Sequence, residues 1–512
     1  HLTNVYAGME TNSTDYDRSN FNGWGMQYAM GETPFYIYQF FKQGIEQGTN
    51  YYSLGRSHLR SAAFFLNANY SYKSRYSVNG TVRYEGTNSM GKSRNARWLP
   101  TWNISGRWNL DEEVFFQPIK KIVSHAALKL SYSLTGDRGP GLSNSTAIIA
   151  SSSPFRPFTS VQESGLILST LGNDELTYEK KTEFNLGIDL GFLENRINVA
   201  MDVYTRDNHD LIGTTRTQGV GGEIAKFANI ASMKSHGFEL SVSSNNIKTK
   251  DFSWNTDFIY SIYKNEVTDL NAIATTMDYV SGTGFTMVGY PHRGLFSIPF
   301  AGLDSNGIPM FYNEKGEITS TDLSFQSSDD FSWLKYEGPT EPTFTGSLGN
   351  SFTYKNVHLN VFFTYSGGNV VRLDPVFSYR YSDLTATTRE FKNRWMVPGD
   401  ENRTNVPTIL SYRQYYENAE LRNAYSAYNY STERVAKGGF IRLKEISVAY
   451  DFPKKWLSAL KVSNVSLKLQ ATNLCLLYAD KKLNGQDPEF VNSGGVASPV
   501  PRQFTMTLRL GL

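Results

Sequence analysis

The chain has 512 residues, and its 50 lysines and arginines almost balance 48 aspartates and glutamates, giving a net charge of +2. This balance, without any block of like charges, provides no electrostatic argument for nucleic-acid binding. The single cysteine, Cys475, excludes an internal disulfide and a cysteine-based metal cluster. No apolar run of 18 residues occurs, which excludes a transmembrane helix but not a membrane β-barrel, whose strands are apolar only at every second residue.

Alternating apolar and polar residues predict about fourteen strands along the chain. The alternation is clearest in residues 75–85, where Val78 and Val82 lie on one face and Asn79 and Arg83 on the other. Many of these strands have 9–15 residues. Strands of soluble sheets have about 5–6 residues, whereas a tilted strand needs about 10 to cross a bilayer. The predicted strands are 2–10, 59–73, 75–88, 99–109, 126–135, 181–193, 195–207, 234–244, 252–263, 343–354, 356–366, 439–451, 462–474 and 502–511.

The connections between these strands alternate between short turns and long segments. Short turns are predicted near residue 74, at 194–195, at 245–250 and near residue 355, and somewhat longer ones at 110–125 and 452–461. The long connections are 11–58, 89–98, 136–180, 208–233, 264–342, 367–438 and 475–501. Short turns on one side and long loops on the other are typical of outer-membrane barrels, whose long loops are extracellular. We therefore predict an all-β fold, a transmembrane antiparallel β-barrel, with no helix assigned to the long connections.

The two faces of the strands predict two environments. The apolar residues are expected to face lipid, because a lysine or arginine there would cost about 2–4 kcal/mol at the bilayer midplane. The polar residues are expected to face a water-filled lumen. This polar set comprises Asn79, Arg83, Asp189, Asp202, Lys468 and Arg509.

Several sequence motifs carry a resemblance to a known family. They occur in one order from about residue 58 to the end of the chain, and their succession is more specific than any single motif. The motifs are 95–109 followed by 111–113, 128–136, 176–191, 301–309 with 313–316, 394–400, 440–446, 473–474 and 487–489. In this series the chain resembles the SusC/RagA family of TonB-linked outer-membrane transporters of Bacteroidota.

The resemblance implies a barrel of about 22 strands, a size associated with plugged outer-membrane transporters. Residues 1–512 would then form the C-terminal part of one TonB-dependent receptor barrel domain, holding roughly its last fourteen strands. The TonB box, the plug and the N-terminal strands would precede this chain.

The resemblance also implies a function in the outer membrane. Family members import glycan or peptide oligomers together with a SusD-like surface lipoprotein, driven by the TonB complex through the N-terminal region. These residues do not choose between the two substrate classes. The alternative is a transporter-like barrel that serves as a structural or assembly scaffold.

The sequence does not indicate an enzyme, a cofactor or a metal site. Its 7 histidines are scattered, without a metal-binding pair four residues apart. Residues 304–307 resemble the start of a calcium loop, but Pro309 and Lys315 stand where such a loop needs glycine and glutamate. A turn is the better interpretation, since Asn-Gly is a strong hairpin signal.

Aromatic residues in the two longest connections are the candidate binding groups. Exposed rings can stack on sugar faces or hold a peptide backbone, and a hydroxyl or indole N–H adds a polar contact. The alternative is that these rings pack the loops against one another or against a partner protein. The candidates for substrate or partner contact are Trp333, Tyr336, Trp395, Tyr412, Tyr415, Tyr416, Tyr425 and Tyr428, and Tyr379 and Tyr381 lie in the same connections.

Overall fold

A computed structural model describes residues 1–21, 26–27, 29, 31, 33–34, 37–47, 52–139, 147–152, 165–219, 224–326, 330–376, 388–457, 462–491 and 501–511. The chain divides into two compact units. One unit comprises His1–Gly106, Ser131–Glu183 and Asp207–Ser232. The other comprises Arg107–Leu130, Phe184–Arg206 and Met233–Leu512.

Within the described residues, fourteen strands form one sheet, and each of them is hydrogen-bonded to the member of this sheet that precedes or follows it in the sequence. The predicted number of strands is confirmed. The strands are β1 (Leu2–Phe21), β2 (Tyr52–Tyr72), β3 (Tyr76–Thr87), β4 (Trp98–Asn109), β5 (Val123–Asp137), β6 (Glu179–Phe192), β7 (Ile197–Arg216), β8 (Ala225–Lys248), β9 (Phe252–Leu270), β10 (Phe344–Tyr354), β11 (Val357–Gly367), β12 (Phe440–Asp451), β13 (Asn464–Tyr478) and β14 (Gln503–Gly511).

Tight turns set the antiparallel register where the sequence predicts them. Between β2 and β3, Lys73 and Ser74 have φ angles of 49° and 55°. Two consecutive residues with positive φ form the turn whose twist matches a hairpin. The register then runs from Tyr72 opposite Tyr76 to Ser61 opposite Thr87.

Several strands are longer than predicted at the ends that join the long connections. β1 continues to Phe21 and pairs with β2 up to Tyr52, so the predicted connection 11–58 shortens to 22–51. Residues 11–21 are mostly polar on both faces. Their alternation therefore vanishes, although the backbone ladder continues. β8 extends in the same way, beginning at Ala225 instead of residue 234.

The connections between the fourteen strands contain short strands and helices. The strand periodicity of the sequence does not reveal these helices. The helices are α1 (Tyr38–Glu46), α2 (Arg94–Arg97), α3 (Thr276–Val280), α4 (Tyr412–Glu417), α5 (Ala419–Asn429) and α6 (Lys454–Leu457). The short strands are Met26–Gln27, Thr33–Pro34, Ile148–Ser152, Gly165–Thr170, Gly294–Ser297, Phe300–Leu303, Pro309–Tyr312, Ile318–Thr319, Lys335–Pro339, Val370–Arg372 and Val435–Lys437.

The best-formed of these helices, α5, has a signal that the sequence analysis missed. Leu421, Ala424, Tyr425 and Tyr428 recur with helical spacing and are buried. The side chain of Asn418 caps the helix by accepting a hydrogen bond from the backbone N–H of Leu421 at 3.0 Å.

Apolar and charged side chains separate onto opposite faces of the main sheet. On β3, Val78 and Val82 are exposed, and Val82 lies opposite the exposed Leu66 of β2. On the other face, Arg83 contacts Glu10 at 2.9 Å and Glu85 at 2.8 Å. On this face Arg83 is therefore neutralised by one acid on another strand, Glu10, and one on its own strand, Glu85.

A second set of ion pairs lies in the other unit. Asp189 contacts Arg107 at 3.2 Å and Lys129 at 2.7 Å, and Lys129 reaches Asp202 at 4.0 Å. Two of the predicted lumen residues, Asp189 and Asp202, therefore share one cation. Among the described residues, no helix is long and apolar enough to cross a membrane.

Candidate functional site in the long loops

Residues of the two longest connections pack together into an apolar core, called here the loop core. Tyr279 lies between Phe296 and Phe331, with ring centroids 5.5 Å and 4.4 Å away. Phe300 contacts Tyr428 with centroids 5.7 Å apart. The buried members are Ala274, Tyr279, Val280, Phe296, Ile298, Phe311, Leu323, Leu334, Val376, Leu421, Ala424, Tyr425, Ala427 and Tyr428. These loops are therefore held together by their own hydrophobic packing.

A buried arginine links the segments of the loop core. Arg372 donates through Nη1 to the Ser297 hydroxyl at 3.1 Å and the Ser431 carbonyl at 2.8 Å. Its Nη2 donates to the carbonyls of Val280 at 3.2 Å and Phe296 at 2.7 Å. Burial lowers the pKa of Arg372 to about 10, so the guanidinium remains charged at neutral pH. One side chain therefore donates to four oxygens from three segments, at Val280, at Phe296–Ser297 and at Ser431.

Two further buried arginines, Arg434 and Arg442, form ion pairs with acidic residues of other loop segments. Arg442 of β12 donates to both carboxylate oxygens of Asp487, at 2.6 Å and 2.7 Å, and contacts Glu489 at 2.7 Å. Arg434 is paired with Glu390. Arg442 and these two acids belong to the motifs 440–446 and 487–489, which the structure brings together.

Sequence reasoning did not single out these three arginines. Arg442 lies within a motif already noted for its resemblance, and that was a usable signal. Arg372 and Arg434 have no local signal, because their partners are 44–92 residues away in the chain. Only the folded loops reveal them.

The motif at 301–309 packs against the motif at 394–400. Gly307 has φ +75°, and a Cβ atom there would lie 2.5 Å from the indole ring of Trp395. The Trp395 Nε1–H donates to Glu401 at 2.9 Å. The carboxylate of Asp304 accepts the backbone N–H groups of Asn306 and Ile308 at 2.8 Å each, so this segment is a turn, as the sequence indicated.

Five of the eight aromatic candidates are buried or half-buried in contacts with other loop residues. Tyr425 and Tyr428 are buried in the loop core, where burial raises the pKa of the Tyr428 hydroxyl. Trp333 and Tyr336 pack against its edge, and burial also raises the pKa of Tyr336. Trp395 is half-buried over Gly307. Tyr379 and Tyr381 lie outside the described residues.

The other three candidates lie together on α4. Tyr412 is 76% exposed and Tyr416 is 44% exposed, with ring centroids 4.3 Å apart. Tyr415 is half-buried and lies 5.5 Å from Tyr416. Arg422 of α5 donates to the carbonyls of Tyr415 at 2.8 Å and Tyr416 at 3.0 Å, fixing the end of α4. The loops therefore expose two neighbouring tyrosine rings on a helix whose C-terminal end is fixed by Arg422.

The chemistry of the described residues favours binding. No group of three or more histidine, cysteine, aspartate or glutamate side chains there is arranged to hold a metal ion. What the described loops do offer is exposed aromatic surface and charged side chains, both suited to a polar oligomer.

Comparisons with known proteins agree with this architecture. The curated relatives include TonB-dependent receptor P3 of Formosa agariphila, 26% identical over 450 residues. They also include TonB-dependent receptor SusC of Bacteroides thetaiotaomicron, 26% identical over 485 residues. These alignments cover 83% and 88% of this chain but only 41% and 43% of those proteins. The chain thus spans less than half the length of either relative.

A solved structure and a family model extend the comparison. The RagAB peptide transporter structure superposes with a TM-score of 0.76 at 20% identity, covering 99% of this chain and 53% of that chain. The fold is therefore shared with that protein. The family model described as TonB dependent receptor-like, beta-barrel matches residues 2–474. With nearly the whole chain matched, the chain belongs to the TonB dependent receptor-like β-barrel family of the bacterial outer membrane.

Proposed function

We propose that the protein containing this chain imports oligomeric nutrients, either glycan or peptide oligomers, across the outer membrane in a TonB-dependent manner. The observation that carries this proposal is the family match over residues 2–474. The relative named SusC and the fold shared with the RagAB peptide transporter support a receptor of the SusC and RagA type.

The proposal includes two partners. A SusD-like surface lipoprotein would cover the long loops, and the TonB complex would act through the N-terminal region of the whole protein. The packed loop core supports this role, because a surface that is already ordered loses less conformational freedom when a partner docks.

Within this function, the α4 tyrosines are the preferred contact residues. Tyr412 and Tyr416 are exposed and their rings lie 4.3 Å apart, whereas Tyr425 and Tyr428 are buried inside the loop core. An aromatic contact contributes about 0.5–1.5 kcal/mol beyond its buried area. Loss of both exposed rings should therefore weaken binding roughly tenfold.

The test is uptake in the native bacterium. A strain lacking the whole protein should lose uptake of either labelled oligosaccharides or labelled peptides, and the full-length protein should recover a SusD-like lipoprotein from native membranes. Tyr412→Ser with Tyr416→Ser should reduce that uptake, while Tyr312→Ser, an exposed tyrosine on another loop segment, should not. Normal uptake of both oligomers in the deletion strain, with other envelope proteins lost, would instead indicate a scaffold.

A further inference from the structure

A cleft of about 290 Å³ lies where three loop segments meet. It is lined by residues 373–374, 388–390 and 482–486, together with Arg434. Small-molecule sites begin at about 300 Å³. The cleft therefore has room for one unit of an oligomer, with the rest of the oligomer outside it.

The acidic side chains of this cleft already have partners. Glu390 is paired with Arg434 and accepts a hydrogen bond from Asn484 at 2.9 Å. Asp374 accepts from Gln486 at 2.8 Å. Both carboxylates therefore help to join the segments, but only the charge of Glu390 is neutralised by a paired arginine, whereas Asp374 has a neutral amide as its side-chain partner.

Two basic side chains of the cleft have no ion-pair partner among the described residues. Arg389 and Lys482 line the cleft, and neither side chain pairs with any residue in the part of the chain that is described. The three cations there, counting Arg434, exceed the two carboxylates by one. Thr388 Oγ1 and Arg434 Nε are buried and have no hydrogen-bond partner among the described residues, and the Arg434 side chain is only 4% exposed. Buried polar atoms without partners are uncommon in folded proteins.

We propose that this cleft binds a carboxylate-bearing unit of the imported oligomer. Arg389 and Lys482 supply the charge, and the planar guanidinium of Arg389 suits two-point contact with a carboxylate. The Thr388 hydroxyl can donate a further hydrogen bond. A peptide C-terminus and a uronic acid present the same group, so both are sources of this chemistry. The inference rests on the proposed import function and narrows its substrate class.

The experiment measures binding to the purified full-length protein by fluorescence polarisation. One probe pair is a hexapeptide labelled at its N-terminus, with either a free C-terminal carboxylate or an amide. The other pair is trigalacturonate and its methyl ester, labelled at the reducing end. In at least one pair the acid should bind about tenfold more tightly than the neutral form, and 1 M salt should remove the difference.

Matched variants assign the effect to the cleft. Arg389→Gln with Lys482→Gln should abolish the preference for the acid, while Lys481→Gln, a neighbouring lysine outside the lining, should preserve it. A preference for the peptide acid would support the inference and identify peptides as the source of the carboxylate. A preference for galacturonate would support it and identify glycans as the source. Equal binding of acid and neutral probes in both pairs would overturn the inference, as would equal effects of the lysine control and the double variant. Failure of the proposed import function would appear separately, as normal uptake of both oligomers by the strain that lacks the protein.

Discussion

At the scale of single residues, Arg372 has contacts that no other side chain can reproduce. Its two terminal nitrogens each serve two oxygens, from Ser297 and Ser431 on one side and Val280 and Phe296 on the other. Methionine would remove the guanidinium donors from these oxygens, although the Ser431 carbonyl would keep the backbone N–H of Arg434 at 3.0 Å. Each oxygen left buried without a donor costs about 1–3 kcal/mol. Lysine keeps the charge but has one nitrogen and cannot reach both pairs. We expect Arg372→Met to increase proteolysis of the long loops on intact cells strongly, and Arg372→Lys to do so less.

The control for this prediction is another arginine of the same loops. Arg413 has a side chain that is 83% exposed and pairs with Glu417 within α4. Exposed pairs of this kind contribute about 0.3–0.5 kcal/mol. Arg413→Met should therefore leave the proteolysis rate unchanged. If Arg372→Met were as resistant as the wild type, Arg372 would not hold the loop core together.

At the scale of elements, the contact between two motifs depends on a glycine. Gly307 and Gly316 both have φ +75°. An alanine at either position would therefore be strained by about 1–2 kcal/mol, because its Cβ atom disfavours the left-handed region. Only Gly307 has Trp395 against it; around Gly316 a Cβ would meet nothing within 4 Å. We expect Gly307→Ala to lower the thermal stability of the loops clearly more than Gly316→Ala, as followed by proteolysis at increasing temperature.

A double-mutant cycle isolates the role of the indole ring in this difference. In a Trp395→Ala background the space above residue 307 is open, so Gly307→Ala should cost no more than Gly316→Ala. If the extra cost persisted without Trp395, the packing of the two motifs would not be its cause.

The sequence allowed the strands to be predicted better than the loops, for physical reasons visible in particular elements. Strand β3 shows its period of two because one face is apolar and the other polar. Residues 11–21 belong to β1 but have polar residues on both faces, so only backbone pairing with β2 reveals them. Helix α5 was predictable from its spacing and its Asn418 cap. It was missed because the strand prediction follows a period of two, whereas the 11 residues of this helix repeat with helical spacing.

At the scale of the whole molecule, long-range contacts mark the limit of sequence reasoning. The fourteen strands and their order follow from local patterns. The loop core depends on contacts such as Arg372 with Val280, separated by 92 residues, and no local pattern encodes them. Tyr425 and Tyr428 show the consequence, because composition made them candidate contacts while the fold places them inside the loops. The barrel of about 22 strands and the preceding plug stay predictions.

The membrane orientation of the sheet yields the last prediction. On β13, Leu469 is 53% exposed and lies opposite Val448 and Met506, which are exposed apolar residues of its two neighbouring strands. Its neighbour Gln470 points to the other face, beside Ser447 and Thr505. If the apolar face contacts lipid, Leu469→Arg costs about 2–4 kcal/mol near the midplane, whereas Gln470→Arg remains in a polar setting. The amount of folded full-length protein in the outer membrane, measured by its heat-dependent gel mobility, should therefore fall for Leu469→Arg and stay normal for Gln470→Arg. Equal amounts of the two variants would show that the face assignment is wrong, and the reverse order would place lipid on the polar side.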